Sequence, residues 1–270
     1  MLTFVPTPIG NLKDISFRAI EALKESELIL CEDTRITKKL INLLNEQLSC
    51  GISMDKEYIA VHSHNEDSFL TNEYKTFFEN KNVLYMSDAG MPCVSDPGAK
   101  LVNFCLQNNI PYDVLPGANA LLTAYAMSGF DKKEFSFYGF LPHKTQNRRN
   151  ELSKILNNPY LTILYESPHR IEQLASELND MDGTREIFIV KELTKLHQKS
   201  FKGKASSMTD AIKLLDSRGE WVVIIDSIEQ GDGEAITVED IENLSLKPKE
   251  KAKLLAKLTG KPVKEIYNSL

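Results

Sequence analysis

The chain has 270 residues, 42% of them hydrophobic and 26% charged, with a formal net charge of −6 at neutral pH. That length allows two compact domains, and the composition is globular, neither disordered nor fibrous. The acidic balance excludes a generally basic nucleic-acid coat while leaving room for local basic faces. No apolar run approaches the roughly 20 residues that span a bilayer, and Pro6 and Pro8 stand where a signal peptide would need an apolar helix. A cytoplasmic protein without membrane contact is expected. Cys31, Cys50, Cys93 and Cys105 form no CxxC pair and read as free thiols, small side chains suited to packing.

In chain order, residues 2–5 read as a first strand and Thr7-Pro8-Ile9-Gly10-Asn11 as its exit loop. Ser16 is the expected N-cap of a helix carrying Phe17, Ile20 and Leu23 at helical spacing. A strand over 28–31 leads into Glu32-Asp33-Thr34-Arg35 and a helix to about Leu44. Strand 58–61, helix 66–78, strand 83–86 and helix 99–108 follow. This β-α alternation predicts a mostly parallel sheet with helices on both faces. Residues 111–117 form the natural boundary, after which Ala118-Asn119-Ala120-Leu121-Leu122 opens a helix. The second half repeats the pattern, with strands near 135–138, 161–165, 187–191, 197–201 and 221–225 and helices around 149–156 and 170–178. The expected domains are therefore an α/β lobe over 1–114, a second over 118–228 with a ligand cleft between them, and a small helical appendage over 240–270. An acidic, glycine-containing stretch over 229–234 reads as the linker to it. The appendage is rich in lysine, with seven lysines and one glutamate over 247–264, and Leu254, Leu255, Leu258 and Ile266 are its expected apolar contacts.

The loop after strand 83–86 carries the strongest local signal. Ser87-Asp88-Ala89-Gly90-Met91-Pro92-Cys93-Val94-Ser95-Asp96-Pro97-Gly98 is twelve residues long, where roughly two to six is usual for such a connection. Its glycines permit positive φ and close ligand approach, and its prolines stiffen it. Open α/β sheets bind ligands at strand ends of this kind. Cys93 lies within the loop, but no His-bearing partner motif supports it as a nucleophile. His62-Ser63-His64 places two histidines on one strand face, yet no further ligand set with metal spacing accompanies it, and a polar loop end is the better reading.

Taken together, Thr7-Pro8-Ile9-Gly10-Asn11-Leu12, Glu32-Asp33-Thr34-Arg35, the Ser87–Gly98 loop, Pro116-Gly117-Ala118-Asn119-Ala120, Gly139-Phe140-Leu141-Pro142, Tyr165-Glu166-Ser167-Pro168-His169-Arg170 and Lys191-Glu192-Leu193-Thr194-Lys195 occur in a telling order. In that order they resemble the small-subunit ribosomal RNA cytidine 2′-O-methyltransferase family of the tetrapyrrole-methylase superfamily, over roughly residues 1 to 226. The resemblance implies a two-lobed α/β fold, S-adenosyl-L-methionine bound in the cleft, and transfer of its methyl group to the ribose 2′-hydroxyl of a cytidine in the 16S rRNA decoding region. It implies the small ribosomal subunit as the setting, a homodimer, and no metal. By position the cofactor shell would comprise Pro8, Asp88, Ala89, Gly90, Val94, Ser95, Asn119, Ala120, Leu141 and Tyr165. Met91, Cys93 and Asn119 depart from the family's usual residues, which puts a hydroxyl contact at position 91 in doubt but not a main-chain one.

In-line methyl transfer gains most from positioning, with help from a base or an alkoxide-stabilising cation. Glu166, His169 and Arg170 are the first catalytic candidates, with Asp33, Arg35 and Lys144 behind them. An ion pair that merely holds the turn is the competing reading for Glu166 and Arg170. Lys144, Arg148 and Arg149 form a basic segment suited to RNA phosphates, against the alternative of a solvated helix start. Two other functions share these features. One is a tetrapyrrole or diphthine-type methyltransferase, and the other a non-catalytic ribosome-assembly factor that binds RNA.

Overall fold

In the computed structural model, which describes residues 1–62, 65–70, 78, 81–228 and 236–269, the first half of the chain builds one sheet from β1 (Leu2–Val5), β2 (Leu28–Cys31), β3 (Glu57–Ala60), β4 (Val83–Met86) and β5 (Tyr112–Val114). The order is β3-β2-β4-β1-β5, and every pairing is parallel, with Val83 beside both Leu2 and Leu28. Strands β1, β2 and β4 are buried along their whole length, which is why they read as unbroken apolar runs. Alternate side chains supply two cores. Leu2, Phe4, Leu30 and Tyr85 face α4 (Ala99–Asn108), while Val5, Ile29, Cys31 and Met86 face α1 (Phe17–Glu25) and α2 (Thr34–Leu48). Ser16 Oγ accepts the Ala19 amide at 3.1 Å and caps α1 as expected. Of the expected helix over 66–78, the described residues show the turn α3 (Glu66–Phe69), which ends as Leu70 leaves helical geometry, and a helical Phe78; 71–77, 79 and 80 lie outside the described residues, as do Ser63 and His64.

The second sheet has the order β6-β7-β10-β8-β9, from β6 (Phe135–Phe140), β7 (Leu161–Glu166), β8 (Glu186–Lys191), β9 (Lys199–Lys204) and β10 (Trp221–Ile225). Only β6 and β7 run parallel; β10 is antiparallel to both β7 and β8, and β9 to β8. The parallel pattern expected here is thus corrected. Just seven residues join β8 to β9, too few for a crossover, so they form a hairpin. Helix α5 (Ala120–Ser128), capped by the Asn119 carbonyl side-chain oxygen on the Leu122 amide at 3.1 Å, covers one face through Leu121 and Ala124. Helices α6 (Thr145–Leu156), α7 (Ile171–Asp182) and α8 (Met208–Leu215) cover the other around Leu164, Ile189 and Val223. Both sheets belong to one compact unit, Met1–Ile228.

The remaining described residues, 236–269, belong to a second unit. Helix α9 (Val238–Asn243) opens on a capping box between Thr237 and Asp240, α10 (Pro248–Thr259) starts on its proline and stops at Gly260, and α11 (Val263–Tyr267) follows. Its core is Ile241, Ala252, Leu255 and Ile266. Leu254 and Leu258, expected inside, are 38% and 45% exposed, because α10 turns only its Ala252–Leu255 edge inward. The expected linker at 229–234 lies outside the described residues. Among those residues no helix is long and apolar enough to cross a membrane.

Candidate active site

The exit loops of β1 and β4 are sewn together by main-chain bonds. Thr7 and Gly90 exchange amide-to-carbonyl hydrogen bonds of 2.9 and 3.1 Å, Thr7 Oγ1 donates to the Ser87 carbonyl, and Ser87 Oγ donates to the Gly90 carbonyl. Gly90 has φ +82, and Cys93 and Ser95 adopt φ of 67 and 63, conformations that non-glycine residues hold only when their surroundings enforce them. The far end of the loop is fixed by Glu66, whose buried carboxylate accepts the Gly98 and Leu101 amides at 3.2 and 3.3 Å and so caps α4 from another element.

These loops form one wall of a cavity of about 410 Å³, within the size range of small-molecule sites. Ile9, Ala89, Gly90, Met91, Val94, Ser95 and Asp96 come from the first lobe, and Asn119 and Ala120 from the start of α5. Phe140, Tyr165, Glu166, Trp221 and Val222 come from the second sheet, and Ser167, Pro168, Leu193 and Glu220 from the loops at its strand ends. Of the ten residues expected around a cofactor, Ala89, Gly90, Val94, Ser95, Asn119, Ala120 and Tyr165 meet here. Pro8, Asp88 and Leu141 do not line the cavity. Asp88 accepts the Asp33 amide at 3.2 Å, and Leu141 is buried in the core on the opposite face of the second sheet, with Leu164. Phe140 takes the wall position instead, because β6 bulges between Phe137 and Gly139 and one extra residue exchanges the two faces. Gly139 inside a strand pattern was the available signal. Glu220 and Trp221 were missed because β10 enters the cleft by its first residues, which only an antiparallel strand does.

Asp96 is the carboxylate that the first lobe places on the cavity wall, and Asp88 and Glu32, off the wall, are coupled to it electrostatically. Burial, then Asp88, pushes the Asp96 carboxyl up to about 6; burial, then Asp96 and Asp88, pushes Glu32 up to about 7; burial also raises Asp88, against the hydrogen bond from the Asp33 amide, which lowers it. Glu32 Oε1 is buried without a hydrogen-bond partner. Clustered carboxylates of this kind are relieved by a bound cation. Burial pushes the Cys93 thiol up to about 11, which fits the packing reading rather than a nucleophile.

The expected catalytic turn is arranged differently from its sequence reading. Glu166 is buried, with Oε1 2.9 Å from Arg170 Nη2 and accepting the Ser167 amide at 2.8 Å, and Oε2 2.9 Å from Arg148 Nη1. Arg170 also donates to the Leu141 carbonyl at 3.0 Å, tying the ends of β6 and β7 together. Both carboxylate oxygens thus stand in ion pairs, Oε2 at pairing distance but without hydrogen-bond geometry, which favours the holding role. His169 is exposed and does not line the cavity. Arg148, expected on RNA, is 1% exposed and reaches inward to Glu166 and, at 2.7 Å, to Glu177, so it is corrected to a core residue; α6 turns position 148 toward α7. Lys144 and Arg149 are exposed.

A parallel sheet and a mixed sheet enclosing a cleft of small-residue loops define the tetrapyrrole methylase class, and residues 1–209 match the family described as Tetrapyrrole (Corrin/Porphyrin) Methylases. Among solved structures, cobalt precorrin-4 methyltransferase superposes with a TM-score of 0.58 at 14% identity, covering 83% of this chain and 94% of that one. Uroporphyrin-III C-methyltransferase from Thermus thermophilus, in complex with S-adenosyl homocysteine, does so at 0.56 and 16%, covering 83% and 96%. Curated relatives narrow the class. The Ribosomal RNA small subunit methyltransferase I of Campylobacter fetus is 48% identical over 270 residues, 100% of this chain and 99% of the relative, and that of Helicobacter pylori strain 26695 is 45% identical over 282, covering 99% and 96%. The chain belongs to the ribosomal RNA small subunit methyltransferase I family, and it is an enzyme, a methyltransferase.

Proposed function

We propose that the chain methylates the ribose 2′-hydroxyl of a cytidine in the decoding region of 16S rRNA, with S-adenosyl-L-methionine as donor. The observation that carries this reading is the cleft itself, walled by a stiff small-residue loop that presents Asp96, inside a chain with full-length ribosomal RNA methyltransferase relatives. When bound, S-adenosyl-L-methionine supplies a methyl group on a cationic sulfonium. The Asp96 carboxylate on the cleft wall, with Asp88 and Glu32 coupled to it, suits that charge, and the small residues Ala89, Gly90 and Ala120 along the wall suit close approach to the main chain. Glu166 and Arg170 fix the opposite wall, so the acceptor oxygen is held in line rather than activated by a strong base. Lys144 and Arg149 on α6 contact phosphates, and the lysines of the C-terminal unit add auxiliary RNA contacts. The assembled small subunit, the cytoplasm and a homodimer complete the reading; a light-scattering mass near 30.5 kDa at all concentrations would overturn the last. Mapping 2′-O-methyl groups on 16S rRNA from cells with and without the protein tests the whole. Loss of one decoding-region methyl group is expected, and an unchanged map refutes the assignment.

The carboxylate cluster sets a pH dependence. Asp96 and Glu32 hold protons more tightly in the folded protein than in the unfolded chain. Between about pH 4 and 7 the folded state therefore binds more protons, and the ligand-free protein loses stability as pH rises through that window. A cationic ligand favours the ionised carboxylates, so its affinity moves the opposite way. If the bound sulfonium lowers the Asp96 carboxyl by about one pKa unit, S-adenosylmethionine binds about fivefold more tightly at about pH 7.5 than at about pH 5, where the bound carboxyl is only half ionised. The neutral-sulfur product, S-adenosylhomocysteine, gains less. Calorimetry of both ligands across this range checks it, and parallel pH profiles would remove the carboxylates from the sulfonium's surroundings.

A further inference from the structure

The bulge in β6 does more than bury Leu141. Phe137 pairs with Ile163, Gly139 with Leu164 and Phe140 with Tyr165, leaving Tyr138 as the extra residue. In an unbroken strand Phe140 would share a face with Ser136 and Tyr138 and point away from the cleft. With the bulge it stands on the same face as Phe137, and both rings pack edge-on against Tyr165, with centroids 5.0 and 5.7 Å away. Phe137 and Tyr165 are half-buried, whereas Phe140 remains 53% exposed while lining the cleft. Gly139 makes the arrangement possible, since its φ is +75 and a Cβ there would stand 3.2 Å from Ser95 Oγ. The ring is thus braced from behind, set beside the β4 exit loop and left with an open side. Four residues later Lys144 begins α6, and Lys144 and Arg149 are exposed.

A braced, exposed aromatic next to cations is how proteins hold an unstacked base while gripping its backbone. Resting on the RNA reading given above, we infer that Phe140 is the stacking platform for a nucleobase of the substrate RNA, at or next to the methylated nucleotide. It is a positioning residue; its ring brings the 2′-oxygen into line and leaves the cofactor's own contacts alone. The rival occupant of the ring is the adenine of the cofactor.

The test uses full-length Phe140→Leu, Phe140→Ala and Phe140→Trp with small-subunit 16S rRNA. The Leu and Ala variants are expected to raise the apparent KM for RNA about tenfold, with S-adenosylhomocysteine affinity within about twofold of the parent, while Trp restores RNA affinity. The natural chain has a single tryptophan, the buried Trp221, so new fluorescence in Phe140→Trp reports on position 140. RNA is expected to quench it, and S-adenosylhomocysteine alone is not. A Leu variant equal to the parent, or cofactor affinity that falls in step with RNA affinity, overturns the platform. Quenching by RNA in a protein whose parent methylates no ribose overturns the 2′-O-methylation reading instead and leaves the platform standing.

Discussion

Replacing Gly90 with arginine should abolish cofactor binding in a protein that still folds. Gly90 cannot shift, because its amide and carbonyl are both bonded to Thr7, at 3.1 and 2.9 Å. It cannot readily accept a side chain either. At φ +82 an L-residue is strained, and its Cβ would stand 3.2 Å from Ile9 Cγ2 and 3.6 Å from the Ala118 carbonyl. The strain amounts to roughly 1–2 kcal/mol, bearable in a unit of this size. A longer side chain has the 410 Å³ cleft as its available space, and a guanidinium there would meet the carboxylates meant for the ligand's charge. The expected loss exceeds about 100-fold in affinity, equivalent to roughly 2.7 kcal/mol. Gly90→Ala separates the two effects, since it carries the strain without filling the cleft, and it should weaken binding only several-fold. Calorimetry with S-adenosylhomocysteine, alongside thermal melts of both variants, reads this out. A folded Gly90→Arg protein with the parent's affinity would place the cofactor elsewhere.

The first lobe was legible in sequence because parallel strands covered on both faces must be apolar throughout, so 2–5, 28–31 and 83–86 announce themselves. Strand direction is not written locally. The second half has the same alternation of apolar runs and amphipathic stretches, yet its sheet is mostly antiparallel, and that difference carries Glu220 and Trp221 into the cleft. The site was legible where it is made of loops, since glycine, proline and excess length mark residues 87–98 whatever the tertiary structure. It was not legible where a side chain's direction depends on a register shift. Gly139-Phe140-Leu141 contains both a cleft residue and a core residue, and only the bulge decides which is which. Charge misled for a similar reason. Lys144, Arg148 and Arg149 look like one basic patch, but neighbouring helix positions point about 100° apart and Lys144 is an extended N-cap residue outside the helical turn, so α6 sends Arg148 to the interior and leaves the other two outside.

That placement predicts the largest stability effect in the chain. Arg148 is buried between Glu166 and Glu177, at 2.9 and 2.7 Å, with Arg170 as the second partner of Glu166. Removing one member of a buried ionic network leaves the others desolvated and unpaired, which typically destabilises by about 3–5 kcal/mol. For a unit of this length that corresponds to a fall in Tm of roughly 6–20 °C. Arg148→Ala should therefore melt early at any salt concentration, because burial shields the network from ionic screening. Lys144→Ala and Arg149→Ala should melt like the parent and instead weaken RNA binding, each flattening its dependence on log salt by roughly 0.7–0.9. The double variant Arg148→Met with Glu166→Leu would remove both charges of one pair and should recover part of the lost stability, since the cost lies in the orphaned carboxylate rather than in the lost bond. Melting curves and RNA titrations at two salt concentrations distinguish the two roles. An Arg148→Ala protein that melts with the parent and binds RNA with a flattened salt slope would return this arginine to the RNA surface and detach Glu166 from the architecture of the cleft.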